Sequence, residues 1–208
     1  MYKKFLLLMC IVSLSTIKAQ DISYGLIFGV NFYNDQSSSG GPNDVFFDSG
    51  NDNFIVPNFG AYFEYGFNKN MGANLEMSFN KKSFVKGYAN VSLNETYVFN
   101  FIDINPNFKY DFGDTYRHGF YMLIGPKIAF LTKAEFEGND VKSDFESVNL
   151  GIDLGVGQRF LKFLEIECKV DYGLTPFFKQ EGSKSSKLFG VYLNLNLDIE
   201  RLVNNNSK

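Results

Sequence analysis

The chain has 208 residues, the size of one domain, with 23 acidic and 20 basic residues and a net charge of −3. Removing a leader at residues 1–20, which holds three lysines and no acid, leaves 17 basic and 23 acidic residues, or −6. This balance argues against nucleic acid as a partner. Cys168 is the only cysteine beyond the leader, which excludes an internal disulfide.

Residues 1–20 are predicted to be a secretory signal peptide. Lys3 and Lys4 form a positive start, residues 5–16 form a short apolar core, and cleavage is expected after Ala19 or Gln20. Nothing after residue 20 has the roughly 20 consecutive apolar residues of a membrane helix. If the mature chain enters a membrane, it must therefore do so as a closed β-barrel.

In chain order, apolar and polar residues alternate with a period of two in eight stretches, which predicts eight β-strands. The predicted strands are residues 23–33, 55–67, 71–80, 96–112, 119–131, 148–157, 164–175 and 191–200. Proline cannot donate to a β-ladder, so Pro106 and Pro126 predict bulges in the fourth and fifth strands.

The clearest pair is the hairpin of the sixth and seventh strands. One face carries no charge, and the other carries charges with Gly155 and Gly157 between them. Two registers are open: Arg159 faces Glu165, or Asp153 faces Lys169.

The connections alternate long and short along the chain. Outer-membrane barrels have this asymmetry, with short periplasmic turns, long outer loops and an even number of strands. We therefore predict an all-β fold, an eight-stranded antiparallel up-and-down transmembrane β-barrel at residues 21–203, followed by a polar tail at 204–208. A soluble periplasmic barrel that binds an apolar ligand remains the alternative, because alternation alone does not say which face is inside.

Aromatic residues cluster at both predicted strand ends, as membrane interfaces favour. The predicted outer belt is Phe32, Tyr33, Phe79, Phe84, Tyr97, Phe99, Phe130, Phe177, Phe178 and Phe189. The predicted inner belt is Tyr65, Phe67, Tyr110, Phe112, Phe120, Tyr121, Phe160 and Phe163.

The leader ending KAQ, the eight strands and the segment IGPKIAFL at 124–131 resemble the PorT-like small outer-membrane β-barrel family of Bacteroidetes. The resemblance covers residues 21–203. It implies an outer-membrane location and, as one possible role, a component of a secretion apparatus. The chain departs from many outer-membrane barrels in lacking a terminal aromatic residue.

The polar strand faces would form a network inside the barrel. Its predicted members are Glu64, Glu76, Lys82, Asp103, Lys109, Asp111, Lys127, Asp153, Arg159, Glu165, Glu167, Lys169, Asp171, Asp198 and Glu200. An eight-stranded barrel is just wide enough for side chains to fill it, which favours a closed, paired plug. A narrow ion path, selective for cations because acids outnumber bases, is the alternative.

No enzymatic site is predicted. His118 is the only histidine and falls in an inner turn, so a Ser–His–acid or Cys–His pair lacks a base at the outer rim. We predict no cofactor and no metal, and a structural or loop-presenting adaptor role. Expected partners are outer-membrane lipid and lipopolysaccharide, the barrel-assembly machinery and, through the long loops, other envelope proteins. The barrel is expected to be a monomer.

Overall fold

The structure, a computed structural model, describes residues 21–35, 45–48, 56–88, 91–114, 116–177, 179 and 187–205. The predicted leader and the last three residues lie outside this part of the chain. The strands are β1 (Asp21–Asp35), β2 (Val45–Asp48), β3 (Val56–Gly66), β4 (Met71–Tyr88), β5 (Val91–Asp111), β6 (Phe120–Phe136), β7 (Asn139–Asp140), β8 (Val148–Leu161), β9 (Leu164–Gly173) and β10 (Leu188–Asp198). A 3₁₀ turn (Lys142–Asp144) follows β7, and a short helix, α1 (Ile199–Asn205), follows β10.

Eight of these strands close into an antiparallel barrel. β1 pairs with β3, and pairing continues through β4, β5, β6, β8 and β9 to β10, which pairs back with β1. A closed ring leaves no unpaired edge, which is the condition for a sheet to cross lipid. The predicted fold class is confirmed.

The two faces of the barrel are inverted relative to a soluble protein. Apolar side chains such as Phe59, Met77, Ile124 and Leu193 are 50–57% exposed on the outer surface. Charged residues at the same level of these strands, such as Glu64, Glu76 and Lys127, are buried inside. The alternative of a soluble barrel with an apolar interior is therefore wrong.

The hairpin of β8 and β9 adopts the first of the two open registers. Arg159 pairs with Glu165, whereas Asp153 pairs with Asp171 rather than with Lys169. Gly155 lies opposite Lys169, and a Cβ atom at Gly155 would come within 2.6 Å of that side chain. The glycine thus makes room for a long neighbour.

Three predicted boundaries are corrected. The polar stretch predicted to be a loop after residue 80 continues as strand, since β4 runs to Tyr88 and β5 begins at Val91. β6 likewise extends to Phe136, where β7 pairs with it. At the other end β10 stops at Asp198, and the residues that follow form α1 instead of strand.

The two prolines do not cause bulges. The β5–β6 register runs from Ile104–Ile128 to Phe108–Ile124 without a shift, which places Pro106 opposite Pro126. The ladders on their other sides also continue, so the two missing N–H groups face each other. The register shift in this ladder lies instead beside Asn100, where Thr132 is the extra residue of β6.

No helix within the described residues is long and apolar enough to cross a membrane.

Candidate functional site: the filled barrel interior

Arg159 is the centre of an ion-pair cluster at the inner end of the barrel, the end with the short turns. Its guanidinium donates to Glu165 Oε1 at 2.6 Å, to Glu64 Oε1 at 3.2 Å and to Asp111. Lys109 Nζ donates to Glu64 Oε2 at 2.6 Å. The carboxylates come from β9, β3 and β5, so a single side chain of β8 connects four strands.

Tyr121 links this cluster to the middle of the barrel. Lys109 Nζ lies 3.8 Å from the centre of its ring, and the Arg159 guanidinium carbon lies 4.8 Å from it. The Tyr121 hydroxyl donates to Glu167 Oε2 at 3.0 Å. A Cβ atom at Gly157 would come within 2.2 Å of the ring, so the glycine is what allows the ring to lie here.

Arg117 closes the inner mouth. It lies in the turn between β5 and β6, but its side chain is buried and reaches β1, β10 and α1. Nη1 donates to the Ile22 carbonyl at 3.1 Å, and Nη2 donates to Asp198 and, at 2.8 Å, to Glu200 Oε2. Its backbone N–H donates to Asp111 Oδ2 at 3.3 Å. These contacts make Arg117 a latch between opposite walls.

The contacts of this latch shift the pKa values of Arg117 and Glu200. Although burial opposes it, the carboxylates of Asp198 and Glu200 raise the pKa of Arg117 above its usual value. Partial burial acts to raise the pKa of Glu200, yet hydrogen bonds from Arg117 and Asn204 outweigh it and lower that pKa below 4.5. Burial raises the pKa of the neighbouring Tyr116 phenol, whose oxygen lies against Gly72.

The middle of the barrel holds a second set of buried polar contacts. Lys169 Nζ pairs with Glu76, across the barrel, and with Glu167 Oε1 at 3.5 Å. Asn105 Nδ2 donates to Asp153 Oδ2 at 2.7 Å. Because an unpaired charge here would be far from water, these partners are what make the charged interior tolerable.

A third cluster lies toward the outer end, around Lys127. Its ammonium binds Asp171 Oδ2 at 2.6 Å and Asp103 Oδ2 at 3.0 Å. It also donates to the hydroxyls of Tyr33 at 2.8 Å and Tyr192 at 2.5 Å. Four acceptors from β1, β5, β9 and β10 therefore surround one cation of β6.

Lys82 is held differently. Its Nζ lies 3.9 Å from the centre of the Tyr33 ring and 4.2 Å from that of Phe101, a double cation–π contact. Lys82, Lys127, Asp171 and neighbouring residues line a cavity of about 20 Å³, the volume that one water needs. The interior is thus packed to within the size of a solvent molecule at this point.

An aromatic lid lies above the third cluster. Phe99, Phe145 and Phe177 are buried, with ring centres 4.8–4.9 Å apart. Phe145 follows the 3₁₀ turn and Phe177 follows β9, and the Glu146 N–H donates to the Phe177 carbonyl at 3.0 Å. Two outer connections therefore insert one ring each into the barrel mouth.

The structure brings the predicted network residues together inside the barrel, with one exception. The buried members are Glu64, Glu76, Lys82, Asp103, Lys109, Asp111, Lys127, Asp153, Arg159, Glu165, Glu167, Lys169, Asp171 and Asp198. Glu200 was predicted on the same strand face, but it lies in α1, with its side chain 23% exposed at the inner mouth. The buried charged groups among the described residues are nine acids and six bases.

Five predicted belt residues point inward instead: Tyr97 packs, half-buried, against the rings of Phe99 and Phe145, and four others are fully buried. Tyr33, Phe99, Tyr121 and Phe177 are at most 2% exposed. Tyr33 follows Phe32 and Tyr121 follows Phe120, and adjacent strand residues cannot both face lipid. Sequence reasoning missed the role of these tyrosines, although the period of two could have found it. Phe84 and Phe178 lie outside the residues whose side chains are described.

The buried position of Arg117 is not predicted by the sequence pattern. The inner turn predicted for His118 is present, and His118 is exposed there, whereas the adjacent Arg117 is buried. The backbone of Arg117 has φ +65°, which few non-glycine residues adopt, and the alternation rule does not extend into turns. Among the described residues, no group of three or more His, Cys, Asp or Glu side chains could hold a metal ion.

An apolar exterior, a closed ring of strands and a buried charged interior define an outer-membrane type of β-barrel. The family model described as "Outer membrane protein beta-barrel domain" matches residues 18–179, and the chain belongs to this family. The matched residues end before β10, the strand that closes the ring. The predicted outer-membrane location is confirmed.

Solved structures that share the fold include two bacterial surface proteins. One is Ail, the attachment invasion locus protein of Yersinia pestis, in complex with the heparin analogue sucrose octasulfate: 13% identity, 86% of this chain, 99% of Ail, TM-score 0.50. The other is Neisserial surface protein A: 12% identity, 86% of this chain, 99% of that chain, TM-score 0.51. Among curated proteins, none matches this chain.

Proposed function

We propose that the protein is a non-enzymatic barrel that anchors its outer connections in the membrane and presents them to partners. The observation that carries the proposal is the interior: three paired clusters and an aromatic lid fill it from end to end. Such an interior supports a rigid anchor rather than a pore, because each ion pair that crosses it is buried and breaking a buried pair is costly.

The outer part of the molecule supports the presenting role. β4 has 18 residues and β5 has 21, whereas β3, on the other side of β4, has 11. The β4–β5 hairpin therefore extends beyond the membrane part, and β2 adds to it by pairing with β4 from Val45–Tyr88 to Asp48–Val85. Outer connections on a rigid scaffold are the usual place for binding.

Two experiments test the two parts of this proposal. Reconstituted in a planar bilayer, the barrel should give no conductance above that of the lipid, and cation-selective steps would support the ion path instead. Replacing residues 86–95, which lie between the paired Val85 and Thr96, with an Asn-Gly turn should leave a barrel whose gel mobility still shifts on boiling. It should also remove any envelope protein that cross-links to the intact barrel; unchanged cross-linking would contradict the presenting role.

A finer proposal is that the protein is a PorT-like barrel of Bacteroidetes and serves a secretion apparatus. The segment IGPKIAFL supports it, and this segment lies in β6, where Lys127 organises the third cluster. Deleting the gene and measuring the secreted proteins tests it. Unchanged secretion, with the barrel absent from the membrane, would leave the anchoring role and remove this one.

A further inference from the structure

Two lysines occupy the first polar row above the apolar band of β4, β5 and β6. The last apolar row of these strands, paired across them, is Phe79, Ile102 and Phe130. In the next row outward, Lys81 pairs with Asn100, and Asn100 pairs with Lys133. The long connections put this edge at the outer leaflet, where lipid headgroups begin.

Lys133 faces outward only because of the bulge at Thr132. Without the extra residue, Thr132 would pair with Asn100, and alternation would turn Lys133 into the barrel. With it, Lys133 joins the outward row and the small Ala134 takes the fully buried position beside the lid. Thr132 Oγ1 donates to the Asn100 carbonyl at 2.9 Å, which stabilises the bulge. Bulges commonly re-aim a side chain in this way.

Both ammonium groups are available to a ligand. Lys81 is exposed, and it has no hydrogen bond or ion pair within the part of the chain that is described. Lys133 binds Glu135 at 2.7 Å, but its side chain is 54% exposed. An exposed pair of this kind is weak and exchanges readily with another anion.

We propose that Lys81 and Lys133, with Asn100 between them, bind the phosphate groups of a phosphorylated outer-leaflet lipid. Strand spacing puts the two lysine Cα atoms about 10 Å apart, a span that flexible side chains close around one phosphate or divide between two. The apolar row directly below contacts acyl chains, so a ligand on this site is held by headgroup and tail together. That continuity favours a lipid over a free phosphate or a protein.

The test compares two double variants in lipid nanodiscs. K81A/K133A removes the proposed site, and K69A/K162A removes the same charge from exposed turns at the inner end. Binding of diphosphorylated lipid A is measured by native mass spectrometry, beside its dephosphorylated form. At roughly 1 kcal/mol for each lysine near a charged surface, we expect about thirtyfold weaker binding for K81A/K133A and none of this loss for the control. A gel shift on boiling checks that both variants fold.

A gain-of-binding variant separates the proposal from a folding defect. E135Q frees Lys133 from its neighbour, and binding should tighten about threefold, in line with a weak surface pair. Equal binding by wild type and K81A/K133A would overturn the site. Equal binding of the dephosphorylated lipid would overturn the phosphate chemistry, and complete competition by millimolar inorganic phosphate would overturn the lipid as its source.

Discussion

Arg117 and Asp198 connect opposite sides of the barrel. Arg117 lies between β5 and β6 and Asp198 ends β10, so three strands separate the two positions in one direction around the ring and four in the other. A residue from a short turn therefore crosses the inner mouth and binds the strand that closes the barrel. The contact joins the last strand of the chain to its middle.

Replacing Arg117 with alanine should destabilise the barrel. It leaves Asp198 buried without its partner, and breaking a buried pair in this way costs about 3–5 kcal/mol. The measurement is the urea concentration at which half of the protein is unfolded. The folded fraction is monitored on gels, where unboiled folded barrel and boiled unfolded chain run at different positions. The double variant R117A/D198N, which also removes the orphaned charge, should recover part of the loss. If R117A alone unfolds at the wild-type midpoint, the latch does not contribute to stability.

Acid should break the ion pair between Arg117 and Glu200 at the inner mouth. Hydrogen bonds from Arg117 and Asn204, acting against partial burial, keep the folded-state pKa of Glu200 below 4.5. The ion pair therefore contributes fully above that pH and is lost as the pH falls through the lower folded-state value. Amide exchange of residues 199–205, corrected for intrinsic rates, should rise below this pH. E200Q should show no such change, and a wild type that matches E200Q would exclude the pair as the cause.

A methyl group at Gly157 should be costly because of Tyr121. The added Cβ atom would lie 2.2 Å from the ring, and a packed interior can relieve that contact only by moving the ring off its cation–π partners. We expect G157A to lose about 1–3 kcal/mol of unfolding free energy. G157A/Y121A should lose less than the sum of the two single changes. Strict additivity would show that the two residues are not in contact.

Labelling of Cys168 tests which side of β9 faces lipid. Cys168 is exposed on the apolar surface, and the next residue, Lys169, is buried inside. A fluorophore on Cys168 in the mature chain should be quenched by lipids with brominated acyl chains. In C168S/K169C the new thiol should resist labelling until the barrel is unfolded. Rapid labelling of that variant would contradict the assignment of the two faces.

The period of two was enough to predict the barrel and the residues of its interior. Alternation fixes which face a strand residue takes, so Glu64, Lys109 and Arg159 could be placed together without coordinates. Aromatic content by itself predicts a membrane-interface position for Tyr33 and Tyr121, whereas alternation places both side chains inside. The strand end predicted at residue 80 is too early, because polar residues continue β4 as strand beyond the membrane.

The features that the sequence pattern does not predict depend on the backbone conformation of single residues. The bulge at Thr132 changes the face of every residue after it in β6, and no residue type announces it. The buried position of Arg117 depends on a positive φ in a turn, where periodicity has no meaning. α1 begins after Asp198 even though Ile199 and Glu200 continue the alternation, and Asp198 Oδ1 accepts the Arg201 N–H at 3.1 Å at that change of direction.

The facing prolines give the barrel a seam. Between the pairs Ile104–Ile128 and Phe108–Ile124, Pro106 lies opposite Pro126, and neither residue has an N–H to donate to the other strand. The ladders on either side, to β4 and to β8, are continuous. In hydrocarbon, water cannot replace a missing donor, so the wall of the barrel is held by fewer hydrogen bonds between β5 and β6 at this point. We expect a barrel pulled apart by force to tear there first, halfway round from the joint where its two ends meet.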